Sequence, residues 1–369
     1  MLRILQASRI RQPLVSRTFA ASIITEASTK FSGKAGSATI DGGLPANAER
    51  VSFGGGLQGR GPFGPAVIRQ LRDTKWRGIT QEGRVWQSAE LGGLPVALGA
   101  TLTPYANTQR CTAHCHYCSE ELVWQHQSRP NAHVKNLIGD QDLYFAQLAE
   151  CFGWLRAAGV KVGLSLSGLE ATADPAWLRR LLRLADEHSA LFTERVLYSN
   201  GTGLLAAPEL ARGLDRVEIH RDHHVEETNQ KLMRLERRVA VRTNEAFAKM
   251  VAQVAPLVAE SNAVAVCILS RGGICTLAAA REYAAWARSV GFRGVVFREL
   301  SRLDGADFDL EGGGGGGRTA RWVEENRVPL DALLTELTRE YTAPDRVSVG
   351  YYYYNEAFDD AAFWGDEPP

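Results

Sequence analysis

Neither sign of charge is in excess in this chain. Its 42 Lys and Arg stand against 42 Asp and Glu over 369 residues, so no global basic field exists to attract a phosphate backbone or an anionic membrane surface. Nucleic acid is therefore not an expected partner. Long apolar runs are missing too: none approaches the roughly 18 residues that a membrane span requires, so a soluble protein is expected. Cysteine is scarce, with six residues in all and none after Cys275. Cys111, Cys115 and Cys118 are crowded into one short stretch, which is not the spread-out framework of a secreted disulfide domain, and a reducing compartment follows. Acidic residues are absent before Glu26. In that stretch Arg3, Arg9, Arg11 and Arg17 alternate with Ser, Ala and Leu, a composition that suits a mitochondrial presequence over 1–25, and residues 17–22 resemble a processing site. The alternative is a basic, disordered N-terminus. The expected location is cytoplasmic, or the mitochondrial matrix if 1–25 is a presequence.

What is present is an ordinary globular balance, 45% apolar and 23% charged, long enough for one large α/β domain with attachments. Residues 1–95 read as an extension of uncertain order. From about Val96, short apolar runs that suit buried strands alternate with longer helical patterns. The strands fall at 95–104, 160–167, 195–199, 216–220, 263–270 and 294–300. The helices fall at 140–158, from Asp174-Pro175 to about 188, at 229–259 and at 277–290. Asp174 before Pro175 is an N-cap followed by a first-turn proline, and Gly159 stops the helix ahead of it. Such βα alternation implies a parallel sheet, here an α/β partial (β/α)6 TIM-like barrel over 96–305 with N- and C-terminal extensions. In a barrel of this kind the chemistry gathers at the C-terminal ends of the strands. An unbroken run from Gly312 to Gly317 separates this core from a C-terminal extension, 306–369, with a helix at 319–341 and an aromatic strand at 347–354 that packs against the core.

The loop after the first core strand reads Cys111-Thr112-Ala113-His114-Cys115-His116-Tyr117-Cys118. Three thiolates this close can ligate three corners of a cubane iron–sulfur cluster, where four cysteines are the ordinary complement. One iron is then left open to an outside ligand. A zinc-binding, non-catalytic scaffold is the alternative from another class, with His114 or His116 as fourth ligand.

The cysteine spacing, Tyr117 directly before the last cysteine, and the position after the first barrel strand together resemble the radical S-adenosylmethionine (SAM) superfamily. The resemblance covers about residues 96–300. It implies one [4Fe–4S] cluster on Cys111, Cys115 and Cys118, whose open iron is chelated by the amino and carboxylate groups of SAM. Reductive cleavage of SAM then gives a 5′-deoxyadenosyl radical that abstracts hydrogen from substrate. It further implies SAM-binding roles at the strand tips, together with Tyr117. Gly168 and Glu170 fall where the family binds the SAM amino group, although Ser167 and Leu169 depart from its Gly-Gly-Glu pattern. Ser199 and Asn200 fall where it binds the ribose, and His220, Arg221 and Asp222 where the SAM carboxylate or the substrate is held. Cys275, near the expected mouth, is a candidate hydrogen-atom donor, while Cys267 and Cys151 read as packing residues. With no cysteine after Cys275, no further cluster with full cysteine ligation is expected. The substrate is expected to be a small or medium-sized molecule, with a peptide-modifying enzyme as the alternative, and a flavodoxin- or ferredoxin-type electron donor is implied.

Overall fold

The computed structural model describes residues 50–56, 85–87, 95–98, 101–107, 109–118, 138, 140–300, 318–340, 346–349 and 353–359. The expected presequence, the glycine run, Tyr351 and Tyr352 lie outside them. Eleven strands are described in chain order: β1 (Arg50–Gly56), β2 (Val85–Gln87), β3 (Pro95–Leu98), β4 (Thr101–Leu102), β5 (Val162–Leu166), β6 (Phe192–Ser199), β7 (Arg216–His220), β8 (Ala263–Leu269), β9 (Gly294–Glu299), β10 (Arg346–Val349) and β11 (Tyr353–Asp359). They form one sheet in the order β2-β3-β10-β11-β1-β9-β8-β7-β6-β5-β4. From β4 to β9 every neighbour is parallel. This is the six-stranded parallel α/β core that the sequence implies, and no ladder among the described residues closes it.

Helices α1 (Gln141–Ala157), α2 (Pro175–Glu187), α3 (Glu226–Met233), α4 (Asn244–Val254) and α5 (Leu277–Val290) fill the crossovers, and α6 (Arg318–Asn326) and α7 (Leu330–Glu340) follow. Their starts are set by side-chain caps. Asp140 accepts the Leu143 N–H at 3.0 Å, Asp174 that of Trp177 at 3.1 Å, and Thr276 that of Ala279 at 3.2 Å, each satisfying a first-turn donor that the helix cannot. Gly291, at φ 105°, ends α5 in a conformation that favours glycine. Leu178 and Leu181 of α2 and Val217 and Ile219 of β7 are fully buried where helices meet the outer face of the sheet; each such side chain contributes about 2 kcal/mol of burial free energy.

The structure departs from the sequence-based boundaries in several places. The run 95–104 is two strands, β4 at one end of the sheet and β3 second from the other. Only two residues join them, so the ends stand within about 11 Å of each other, and the sheet curls round. The helical pattern at 229–259 is broken: Arg234 turns left-handed (φ 51°, ψ 48°) and Thr243 caps a fresh helix by accepting the Ala246 N–H. The helix expected at 319–341 divides into α6 and α7 before Pro329, which disfavours helical backbone in the residue ahead of it; Arg327 there forms an antiparallel bridge with Ser270. The aromatic strand at 347–354 falls across two antiparallel strands, β10 and β11. Regular structure also begins well before Val96, because β1 lies between β9 and β11.

Candidate active site

The cysteine loop is held by the end of α3. The last carbonyls of a helix have no partner within it, and here those of Leu232 and Met233 accept the N–H groups of His116 (3.3 Å) and His114 (3.1 Å). The Glu236 N–H returns to the Thr112 carbonyl at 3.0 Å, and the Cys118 N–H bonds the Cys115 carbonyl at 3.2 Å. Upstream, the segment after β4 is fixed by the Tyr144 hydroxyl on the Tyr105 N–H (3.0 Å) and by the Trp177 indole on the Tyr105 carbonyl (2.7 Å). The break between α3 and α4 thus exposes the helix end that seats the triplet.

The three thiols act on one another electrostatically. Burial pushes Cys111 up to about 12, with Glu170 and Cys118 adding to it. Burial also raises Cys115, helped by Asp222, Cys118 and Cys111. The charges acting most strongly on both are negative, so thiolates at these positions need a positive centre to neutralise them, which a bound metal group supplies. Among the described residues no three Cys, His, Asp or Glu side chains converge closely enough to hold one ion. Three thiols within one eight-residue loop that holds no fourth cysteine are the donor chemistry of a cubane with one open iron. The donor set suits a cluster. The histidines weighed as a fourth zinc ligand are engaged elsewhere: His116 stacks on Trp322 of α6 (5.3 Å between centroids, 14°), and His114 lies 4.0 Å from Glu236.

The tips of β5 and β6 are tied to this loop through Glu170. Its carboxylate is 1% exposed. One oxygen accepts the Thr172 N–H (3.0 Å), the Thr172 hydroxyl (2.5 Å) and the Ser199 hydroxyl (2.7 Å), and the other accepts the Asn200 N–H (2.7 Å). Asn200 in turn donates to Thr112 (3.1 Å) and to the Cys111 sulfur (3.9 Å), and accepts from the Thr202 N–H at 3.0 Å. Gly203 closes the knot, since a Cβ there would lie 2.1 Å from the Thr172 carbonyl oxygen. The Glu170 bonds hold the two strand tips in register, and the second carboxylate oxygen takes just the Asn200 N–H among the described residues. Beside Glu170, Gly168 (φ 100°) and Leu169 (φ 51°) are both left-handed, a strained state for leucine. A Cβ on Gly168 would meet nothing within 4 Å, so the backbone here borders open space.

At the β7 tip the structure brings three of the expected residues together. The Tyr117 hydroxyl donates to Asp222 and lies 3.2 Å from His220 Nε2, which is 2.8 Å from the other Asp222 oxygen. Asp222 also accepts the Ile268 N–H at 3.0 Å, and its own N–H is held by Asn229 at 2.9 Å. Burial, then the Asp222 charge, drive the Tyr117 pKa well above its usual value.

Arg221 does not join them. Its guanidinium, 1% exposed, turns into the core, donates to the carbonyls of Val241 (2.9 Å) and Arg242 (3.3 Å) and to Asn244, and stacks over Phe247 at 4.6 Å. Cys267 packs as expected, fully buried, with its thiol on the Asp222 carbonyl at 3.3 Å. Cys275 is half-buried against the core, and no hydrogen bond or ion pair links it to the triplet or the strand tips among the described residues. Thr112, Thr172, Thr202, Asn229 and Trp322 are site residues that the sequence did not single out. Thr112 and Thr202 stood beside flagged residues, and their hydroxyls meet at 2.9 Å; Trp322 carried no local signal.

No family model and no curated protein matches the chain. Solved structures to which it is similar are radical SAM enzymes. They include a radical SAM methyltransferase from Sphaerobacter thermophilus (14% identity over 77% of this chain and 81% of that one, TM-score 0.37). SuiB from Streptococcus suis bound to S-adenosylmethionine is 12% identical over 69% of this chain and 59% of its own, with a TM-score of 0.36. For anSMEcpe with bound AdoMet the values are 15%, 56% and 52%, with a TM-score of 0.35. The chain thus spans little more than half the length of the last two. The likeness is one of strand and helix arrangement, and the chemistry of the site rests on this chain's own residues.

Proposed function

We propose that the chain is a radical SAM enzyme with a single [4Fe–4S] cluster on Cys111, Cys115 and Cys118. The observation that supports this best is the knot at the strand tips, in which Asn200 touches the Cys111 sulfur while Tyr117, between the other two cysteines, is bonded to His220 and Asp222. When bound, such a cluster supplies the one electron that cleaves SAM and starts hydrogen abstraction from substrate. The residues around it do the positioning. Glu170 fixes Ser199 and Asn200, and the backbone of Gly168 and Leu169 offers carbonyls beside open space for an ammonium group. Asp222 orients Tyr117 and His220 toward the triplet. The electron comes, on this reading, from a flavodoxin- or ferredoxin-type donor.

Anaerobic reconstitution with iron and sulfide tests it. The expected result is a brown protein that converts SAM and dithionite to 5′-deoxyadenosine and methionine, with colour and conversion both lost when all three cysteines are replaced by Ala. A colourless protein carrying one zinc would sink the proposal.

A further inference from the structure

A group of charges inside the sheet has no part in the scheme above. On the face opposite the helices, Arg298 of β9 reaches across β8 and β7. It bonds Glu218 at 2.5 Å, and its guanidinium carbon lies 5.3 Å from the Tyr198 ring on β6. Glu218 is 3% exposed and also binds Arg216 at 3.0 Å; Arg216 is completed from its other side by Glu194 at 2.7 Å. Glu194 lies four residues below Tyr198 on the same strand, about 13 Å away along it. Glu218 therefore divides its charge between two guanidiniums, and among the described residues only the lower has a second carboxylate. Glu218 is thus the carboxylate paired with Arg298 among the described residues.

The height of this group matters. Arg298 pairs with Ile268, whose N–H is bound by Asp222, so its backbone is level with the strand tips. Tyr198 and Glu218 each lie two residues below a tip residue, Asn200 and His220. Desolvation is the largest influence on Arg298, and Glu218 and then Tyr198 outweigh it, holding its pKa above the usual value. Yet 39% of the side chain remains reachable by water. A guanidinium enclosed by protein, wetted, backed by a buried carboxylate and laid over an aromatic ring is a pre-organised receptor with donors to spare.

We propose that Arg298 holds a carboxylate of the substrate inside the curled sheet, beneath the strand tips. A planar carboxylate matches the fork of one guanidinium with two parallel hydrogen bonds and adds a single negative charge beside Glu218, whereas a phosphate dianion would add two. Glu218 is a positioning residue that aims the fork. This inference rests on the strand tips being the SAM site.

The test uses the reconstituted, SAM-loaded full-length protein and a panel of amino, hydroxy and dicarboxylic acids, each matched with its amide, read by saturation-transfer NMR. At least one acid is expected to bind about tenfold or more tightly than its amide. Arg298→Gln is expected to erase that difference and Arg298→Lys to keep part of it, while Glu218→Gln weakens the acid alone. Acids and amides that bind alike, or not at all, overturn the proposal, as does an acid preference that survives in Arg298→Gln. Cooperative melting of Arg298→Lys checks the fold. Cluster colour and SAM cleavage, read in the same samples, separate the two ideas: their absence beside an Arg298-dependent acid preference sinks the enzyme reading alone, and their presence without that preference sinks the carboxylate site alone.

Discussion

At the scale of single residues, the flagged strand-tip side chains end in different roles according to which way the backbone aims them. Glu170 accepts four hydrogen bonds from neutral donors. In Glu170→Gln the amide oxygen can keep the Thr172 and Ser199 bonds, but its NH2 group then opposes the Asn200 N–H. Leaving that buried donor unpaired costs about 2 kcal/mol. Urea unfolding should show this loss, and reconstituted iron content should fall too, because Asn200 carries the link to Thr112 and Cys111; stability and iron content both at wild-type level would refute the positioning role. Arg221 shows the limit of legibility. Its place in His220-Arg221-Asp222 marked it as a strand-tip residue, which it is. Successive residues of a strand point to opposite faces, but the sequence does not say which face carries the cavity. Asp222 turned toward Tyr117, and Arg221 toward Phe247.

At the scale of elements, what was legible was local. β7 fell at its expected residues, and α1, α2 and α5 began where Asp140, Asp174 and Thr276 offer caps. The breaks between α3 and α4 and between β3 and β4 were not legible, because long-range pairing fixes both: the α3 end is stabilised by a loop more than a hundred residues earlier, and β4 exists only against β5. The turn from β7 to α3 carries a pH dependence. His223 and His224 stack at 4.5 Å. Burial lowers both pKa values; the neighbouring His224 charge adds to this at His223, while Asp222 and Glu282 oppose it. With folded values below the ordinary 6.5, the unfolded chain takes up protons first as the pH falls. The stabilising contribution is complete above that value and declines as the pH drops through it. Melting temperatures measured from about pH 7.5 to about pH 5.5 should fall with acid and fall less in a His223→Asn, His224→Gln double variant. Part of the slope should remain, since burial and then Arg234 lower His116 in the same direction; equal slopes in both proteins would refute the assignment.

At the scale of the whole molecule, the parallel core is not self-sufficient at its β9 side. β1, from a stretch that the composition left unassigned, pairs with β9 in parallel and with β11 antiparallel, so a segment far ahead of the cysteine triplet joins the core to the C-terminal strands. Val51 within it is 2% exposed. Without β1, the backbone groups of β9 next to Val295 and Phe297 would form an open edge, which templates association between chains. The C-terminal part also reaches the site: Trp322 covers His116 and Tyr117, and Arg327 bridges to Ser270 at the end of β8. An open β9 edge would therefore detach β11 from the core and loosen the elements that lean on the cysteine loop. Deletion of residues 1–25 should leave the melting temperature and reconstituted iron content at full-length values, because β1 and all its partners remain. Deletion of residues 1–56 should give aggregated protein, or soluble protein with a lowered melting temperature and reduced iron content. A 1–56 deletion that stays monomeric by size-exclusion chromatography, melts like the full chain and takes up the same iron would show that the β9 edge is protected by something other than β1.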